Sequence, residues 1–352
     1  MFLRSSLTVC FALSFVGCGD DATSSGAGGA GAGSTSGEGA AGAGAAGSTG
    51  SMMVAGGSGP GGSGGAGGTG GDGGNFVGVD PIANIGAVEL VQSGFSFTEG
   101  TVWLPDLAVL RFSDIPNNVI HELDPNSDAI TDWRDPSNNT NGNAVGPSGD
   151  IFMAEHSGRR VSRSAPNTPA PMTVSDSYMG MAFNSPNDVI VRSDGQLYFT
   201  DPTYGLGGEN QEIPWQGVYR VNLAGDAVLV GDEYAQPNGI ALSPDESKLY
   251  VSDSEDGNLF VYDVAPDGST GARTLLIDTG PSDGMAVDDA GNLYLTTGAG
   301  IEVYRADGTP WGVVTVPEQP ANCTFGGADR RTLFITARTG LYRVALNVPG
   351  LP

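Results

Sequence analysis

The sequence predicts an all-β fold, a six-bladed β-propeller that follows a Gly/Ala/Ser-rich linker. Three observations carry this prediction. A short strand motif recurs six times at near-regular spacing, and a small polar residue recurs in phase ahead of each copy. No stretch of ten or more residues shows a helical period.

The strand motifs read Leu110-Arg111-Phe112-Ser113-Asp114, Ile151-Phe152-Met153-Ala154-Glu155, Leu197-Tyr198-Phe199-Thr200-Asp201, Leu249-Tyr250-Val251-Ser252-Asp253, Leu293-Tyr294-Leu295-Thr296-Thr297 and Leu333-Phe334-Ile335-Thr336-Ala337. Their first positions are 41, 46, 52, 44 and 40 residues apart. That spacing suits one four-stranded propeller blade per motif. Turn chemistry precedes the motifs where a hairpin needs it, as in Pro147-Ser148-Gly149-Asp150, Ser193-Asp194-Gly195 and Asp288-Asp289-Ala290-Gly291. The alternative, a β-sandwich, does not account for six matched repeats. Val88-Glu89-Leu90-Val91 has no repeat of its own. It is expected to pair with the C-terminal strand around Leu341-Tyr342-Arg343-Val344, close the ring and cover an exposed edge.

Ten or eleven residues ahead of each motif stands a polar residue: Glu99, Asn141, Asn187, Asn238, Asp283 and Asn322. Four are followed by Gly, one by Asp188 and one by Cys323. Taken singly, such dipeptides read as turns. Taken in phase, they place six side-chain oxygens around one axis, because the innermost strands of a propeller line its channel. Oxygen donors without His or Cys suit a hard cation such as Ca²⁺, whereas zinc favours nitrogen and sulfur.

Composition bounds the rest. Residues 1–18 read as an export signal. Arg4 precedes a short apolar run, and Phe15-Val16-Gly17-Cys18 resembles the bacterial lipobox, with Phe15 where Leu is common. Cys18 is the expected lipidation site, and an ordinary cleaved signal is the alternative. Residues 19–75 are mostly Gly, Ala, Ser and Thr, the composition of a flexible linker. Residues 76–352 are the propeller. The chain is expected to be exported to the cell envelope and to meet a membrane only through its lipid. Cys323 is the only cysteine left in the folded part, so no internal disulfide is expected there. The net charge is −25 and Lys248 is the only lysine, which excludes nucleic acid as a partner. There is no Gly-x-Ser-x-Gly elbow, and His121 and His156 are the only histidines, which argues against a serine hydrolase.

Glu99-Gly100-Thr101-Val102-Trp103, Ala154-Glu155-His156-Ser157-Gly158-Arg159-Arg160-Val161, Asn184-Ser185-Pro186-Asn187-Asp188-Val189, Tyr198-Phe199-Thr200-Asp201-Pro202-Thr203-Tyr204-Gly205-Leu206, Gln236-Pro237-Asn238-Gly239-Ile240 and Asp283-Gly284-Met285 together resemble the SMP-30/gluconolactonase family, in its bacterial gluconolactonase branch. The resemblance spans Gly86 to Leu346. It implies a six-bladed propeller with one channel metal, commonly Ca²⁺, with Zn²⁺, Mn²⁺ or Mg²⁺ as other candidates. It implies Glu99, Asn187, Asn238 and Asp283 as ligands and Asp283 as the catalytic acid/base. The expected reaction is hydrolysis of a small-molecule sugar lactone. Asn141, His156, Asp201 and Tyr204 are candidates for substrate binding, Arg159 and Arg160 for a product carboxylate. Trp103 and Trp215 are candidates for the channel entrance or for core packing. Two other functions fit the same pattern: hydrolysis of another ester, lactone or phosphoester, and a non-catalytic envelope binding module stiffened by calcium.

Overall fold

Both faces of each strand motif are apolar because both are buried. In Leu197-Tyr198-Phe199, Leu197 and Phe199 point into a cluster with Ala144, Phe152 and Val161 of the preceding blade. Tyr198 points the other way, into a cluster with Ile240, Leu242 and Leu249 of the following blade. The same division recurs at Leu293 and Leu295 against Tyr294. The core is therefore a set of layers between blades. Each buried Leu, Ile or Phe contributes about 1.5–3 kcal/mol to holding two blades together.

The structure, a computed structural model, describes residues 76–351. The expected signal, Cys18 and the linker lie outside the described residues. Within them there is no helix, and six four-stranded sheets follow one another in chain order. The innermost strands are Thr98–Leu104, Thr140–Val145, Val189–Val191, Pro237–Leu242, Ser282–Val287 and Pro320–Gly326. Each lies against the next, and the last returns to the first, so they form a closed ring. A separate two-stranded ribbon joins Ser177–Tyr178 to Met181–Ala182.

Closure follows the expected route. Glu89–Ser93 pairs antiparallel with Gly340–Ala345 as the outermost strand of the sixth blade, with Leu90 opposite Tyr342 and Glu89 opposite Arg343. The chain end adds a second clasp. The Asp289 amide donates to the Pro349 carbonyl at 2.8 Å, and the Gly350 amide donates to Arg330 O at 2.8 Å. Blades five and six are thus tied by the C-terminal segment as well as by their faces.

One local irregularity aims the channel residues. In five blades the ladder between the innermost strand and its neighbour shifts register at the recurring polar residue: near Glu99, Asn141, Asn238, Asp283 and Asn322. Such bulges bend a strand and redirect a side chain. In the third blade the ladder begins at Val189, and the Asn187 amide donates to Thr200 O at 2.9 Å just outside it.

Candidate active site

The residue after each channel residue explains how the ring closes. Glu99-Gly100, Asn141-Gly142, Asn238-Gly239 and Asp283-Gly284 lie within strands and form no turns. A β-carbon at Gly100 would stand 1.8 Å from the Asn141 carbonyl oxygen, and Gly100 also has a φ of 51°. A β-carbon at Gly239 would stand 2.4 Å from the Asp283 carbonyl oxygen. In these four blades glycine lets the innermost strand touch the channel residue of the next blade. Hydroxyls of the strand motifs stitch the same contact. Ser113 Oγ donates to Asn141 O at 2.7 Å, Thr200 Oγ1 to Asn238 O at 2.7 Å, and Ser252 Oγ to Asp283 O at 3.1 Å. The fourth position of the repeat thus fixes the backbone of the neighbouring channel residue.

Four ring members act on one another. The charge of Asp283 acts on Glu99, Asn238 favours the ionised form of Asp283, and Asn322 that of Glu99. Glu99, Asn141, Asn187, Asn238 and Asn322 are buried, whereas Asp283 is half-buried and the most accessible of the six. Burial and the charge of Asp283 raise the Glu99 carboxyl well above its ordinary range, and Asp188 adds to the effect. Burial likewise raises Asp283 to about 7. Asp188 is raised to about 7 by burial, although it accepts hydrogen bonds from the Val189 and Ile240 amides. Three carboxyl groups therefore converge where charge is costly.

These residues fit a hard divalent cation. Glu99 and Asp283 would supply charge and Asn238 an amide oxygen beside Asp283, whereas Asn187 is buried just ahead of the third blade's innermost strand; no nitrogen or sulfur donor belongs to the set. No group of three or more His, Cys, Asp and Glu placed to hold a metal occurs among the described residues. A set with two carboxylates and two amides does not require one.

The flanking candidates divide. His156 Nε2 lies 3.4 Å from Asn141 Nδ2, and burial lowers its pKa to about 4, so the ring is neutral at neutral pH. Gly205 packs onto the His156 ring so closely that a β-carbon there would stand 2.2 Å from Cγ. Tyr204 is largely exposed, hydrogen-bonds Ser254 and senses the charge of Asp283. Asn141, His156 and Tyr204 thus gather at one end of the channel. Asp201 does not join them. It is fully buried, accepts from the Asn184 amide at 2.8 Å, and is raised to about 8 by that burial. Asp114 and Asp253 do the same work in their blades, accepting from Phe97 and Gln236 amides. The recurring Asp pins the loop that leads into the innermost strand.

Arg159 and Arg160 are engaged elsewhere. Arg159 donates to Phe183 O at 2.6 Å and pairs with Glu212, while Arg160 pairs with the buried Glu155 at 2.7 Å. Trp103 stacks on Phe334, and Trp215 Nε1 donates to Tyr219 Oη, so both belong to blade packing. Cys323 is buried, and burial pushes its thiol well up. Asp188 joins the channel acids without having been a candidate from the sequence. Its signal was visible as the one acidic residue in a position that is glycine in four blades.

A closed six-bladed propeller with a ring of carboxylate and amide oxygens in its channel is the class of molecule that the fold and site define. Residues 97–339 match the SMP-30/Gluconolactonase/LRE-like family, and the chain belongs to that family. It is 35% identical over 298 residues to a gluconolactonase of Zymomonas mobilis subsp. mobilis, covering 76% of this chain and 83% of that protein. Among solved structures it is similar to a gluconolactonase of Xanthomonas campestris, with a TM-score of 0.71 and 29% identity over 76% of this chain and 92% of that one. It shares its fold with regucalcin, a calcium-binding protein of Agrobacterium tumefaciens, at a TM-score of 0.66 and 21% identity, covering 75% and 95% of the two chains.

Proposed function

We propose that this protein hydrolyses a sugar lactone, with a divalent cation held by Glu99, Asn187, Asn238 and Asp283 and with Asp283 as acid/base. Calcium is the ion that the oxygen donors suit best. The observation that carries the reading is the pairing of Glu99 and Asp283 at equivalent positions of the innermost strands, two carboxyl groups both raised by burial. The gluconolactonases of Zymomonas and Xanthomonas support the substrate class.

When bound, such a cation supplies Lewis-acid polarisation of the lactone carbonyl. The protein's own residues do the rest. Asp283, the most accessible of the ring, takes a proton as water adds to the carbonyl carbon. The bond from that carbon to the ring oxygen then breaks, and Asp283 returns the proton to the departing oxygen. A free acid with a new hydroxyl results. Glu99 and the amides of Asn187 and Asn238 hold the centre in place. Asn141 and His156 offer hydrogen-bonding groups to the sugar hydroxyls, with His156 neutral and able to accept. Tyr204, exposed on the loop of the third blade, offers a further hydroxyl to the sugar.

The test is acid release from gluconolactone with and without a chelator. Turnover that chelation abolishes and calcium restores is expected. No turnover on gluconolactone or on a panel of small lactones would overturn the substrate class. Turnover indifferent to chelation would remove the metal.

A further inference from the structure

The proposed reaction leaves Asp188 without a task. This acid directly follows Asn187, and the same position holds Gly100, Gly142, Gly239, Gly284 and Cys323 in the other five blades. Those blades form their innermost strands without a carboxylate there, so an acid is no requirement of the fold. Yet its place is closely fixed. Asp188 is 8% exposed. Its Oδ1 accepts from the Val189 amide at 2.9 Å, and its Oδ2 from the Ile240 amide of the fourth blade at 3.2 Å. Its own amide donates to Thr200 Oγ1 at 3.1 Å, the hydroxyl that also donates to Asn238 O. On the other side, a β-carbon on Gly142 would stand 2.5 Å from Asp188 Oδ1. The carboxylate is thus wedged between the innermost strands of the second and fourth blades, and it grips the fourth two residues beyond Asn238.

The charge of Asp188 reaches across the channel. It acts on the Glu99 carboxyl of the first blade and on the Cys323 thiol of the sixth, and the charge of Asp283 in the fifth acts on it in turn. The two amides hold the group in place but bring no net charge to balance it. A third negative charge in reach of Glu99 and Asp283 is costly in a buried place unless a cation joins them.

We propose that Asp188 sets the charge of the cation centre, acting from outside the ligand set to favour ions of higher charge. This rests on the metal assigned above to Glu99, Asn187, Asn238 and Asp283. Attraction scales with the product of the charges, so a fixed anion favours a divalent ion over a monovalent one and a trivalent ion over a divalent one. Two ligand carboxylates alone would just neutralise a divalent ion. The third leaves the occupied centre negative and holds the ion where the remaining donors are uncharged amides, since the count of charges around such a centre tunes its affinity.

The experiment is calorimetric titration of the metal-free protein with calcium chloride and with terbium chloride, a trivalent ion of similar size. It compares the wild type with Asp188→Asn and Asp188→Gly. Asp188→Asn keeps the shape without the charge. Asp188→Gly installs the residue that four other blades carry at this position, so the test does not hang on the folding of the first variant. Both variants are expected to bind calcium about tenfold more weakly and terbium about thirtyfold more weakly, because the loss in free energy scales with the charge of the ion. An equal loss for the two ions would make Asp188 a mechanical clasp and overturn the proposal. Unchanged affinity for both ions in a folded variant overturns it too. These outcomes leave the metal reading standing, whereas wild-type protein that binds neither ion overturns both together.

Discussion

Two of the places where the propeller buries carboxylates treat them in opposite ways. Glu155, at the end of the second blade's motif, is fully buried. Burial pushes it up, yet Arg160, Ser162, Asn138 and Arg134 more than offset this, and its pKa ends below the ordinary value. Arg134 Nη2 approaches at 2.8 Å, Arg160 Nε at 2.7 Å and Ser162 Oγ at 2.6 Å. Glu99 and Asp283 share the channel and are raised instead. The protein spends two arginines on Glu155 and surrounds the channel pair with amides and a further acid, Asp188. The first cluster is complete as folded. The second keeps its acids against amides and a further acid, and on the proposed function a cation would supply the charge that offsets them.

Three substitutions or conditions break or sharpen that contrast. The largest effect is expected at Asp283. Asp283→Asn, assayed at saturating calcium, should lower kcat/KM for gluconolactone about 10²–10⁴-fold, the contribution of a positioned acid/base. Full activity in a variant that still binds calcium would refute the proton-transfer role.

Glu155→Gln should instead act on stability. It leaves Arg134 and Arg160 without their anion, and breaking a buried pair costs about 3–5 kcal/mol. Urea unfolding measures this, and the folded fraction should keep its calcium affinity. A loss of calcium binding with unchanged unfolding would reverse the roles of the two clusters.

The smallest effect concerns pH. Asp283 and Asp188 have pKa values raised to about 7 in the fold, against about 4 for a free carboxyl. Their ionisation is disfavoured in the fold. Without a cation, the stability that these two groups contribute is therefore fully present below about pH 4 and is lost as pH rises through about 7. Calcium should offset that loss, so the rise in Tm on adding it should be greater at pH 8 than at pH 5. Calcium at a hundredfold over its Kd is worth about 2.7 kcal/mol. An equal rise at both pH values would disconnect the ion from these carboxyl groups.

Much of the site was legible because the repeat imposes phase. Glu99, Asn141, Asn187, Asn238, Asp283 and Asn322 stand at one register of six equivalent strands, and one axis follows from that. Asp201 shows the limit of the same logic. Its motif looks like a channel-facing end, but strand residues alternate in direction, and its carboxylate turns back to the Asn184 amide. Arg159 and Arg160 show another limit. Adjacent in sequence, they leave in different directions, one toward Phe183 O and Glu212 and the other toward Glu155. Neither destination is encoded locally.

The sequence by itself determined the six-bladed ring, its closure by Glu89–Ser93 and the channel position of the six polar residues, because strand period and repeat length are local properties that add up around an axis. Tertiary structure decided which acids keep a partner. Glu155 meets Arg134 from a strand 21 residues away, whereas Glu99 feels the charge of Asp283 from four blades further on. Whether a buried carboxylate is neutralised depends on what the neighbouring blades bring within about 4 Å, and charge partners at that range are set by packing rather than by order along the chain.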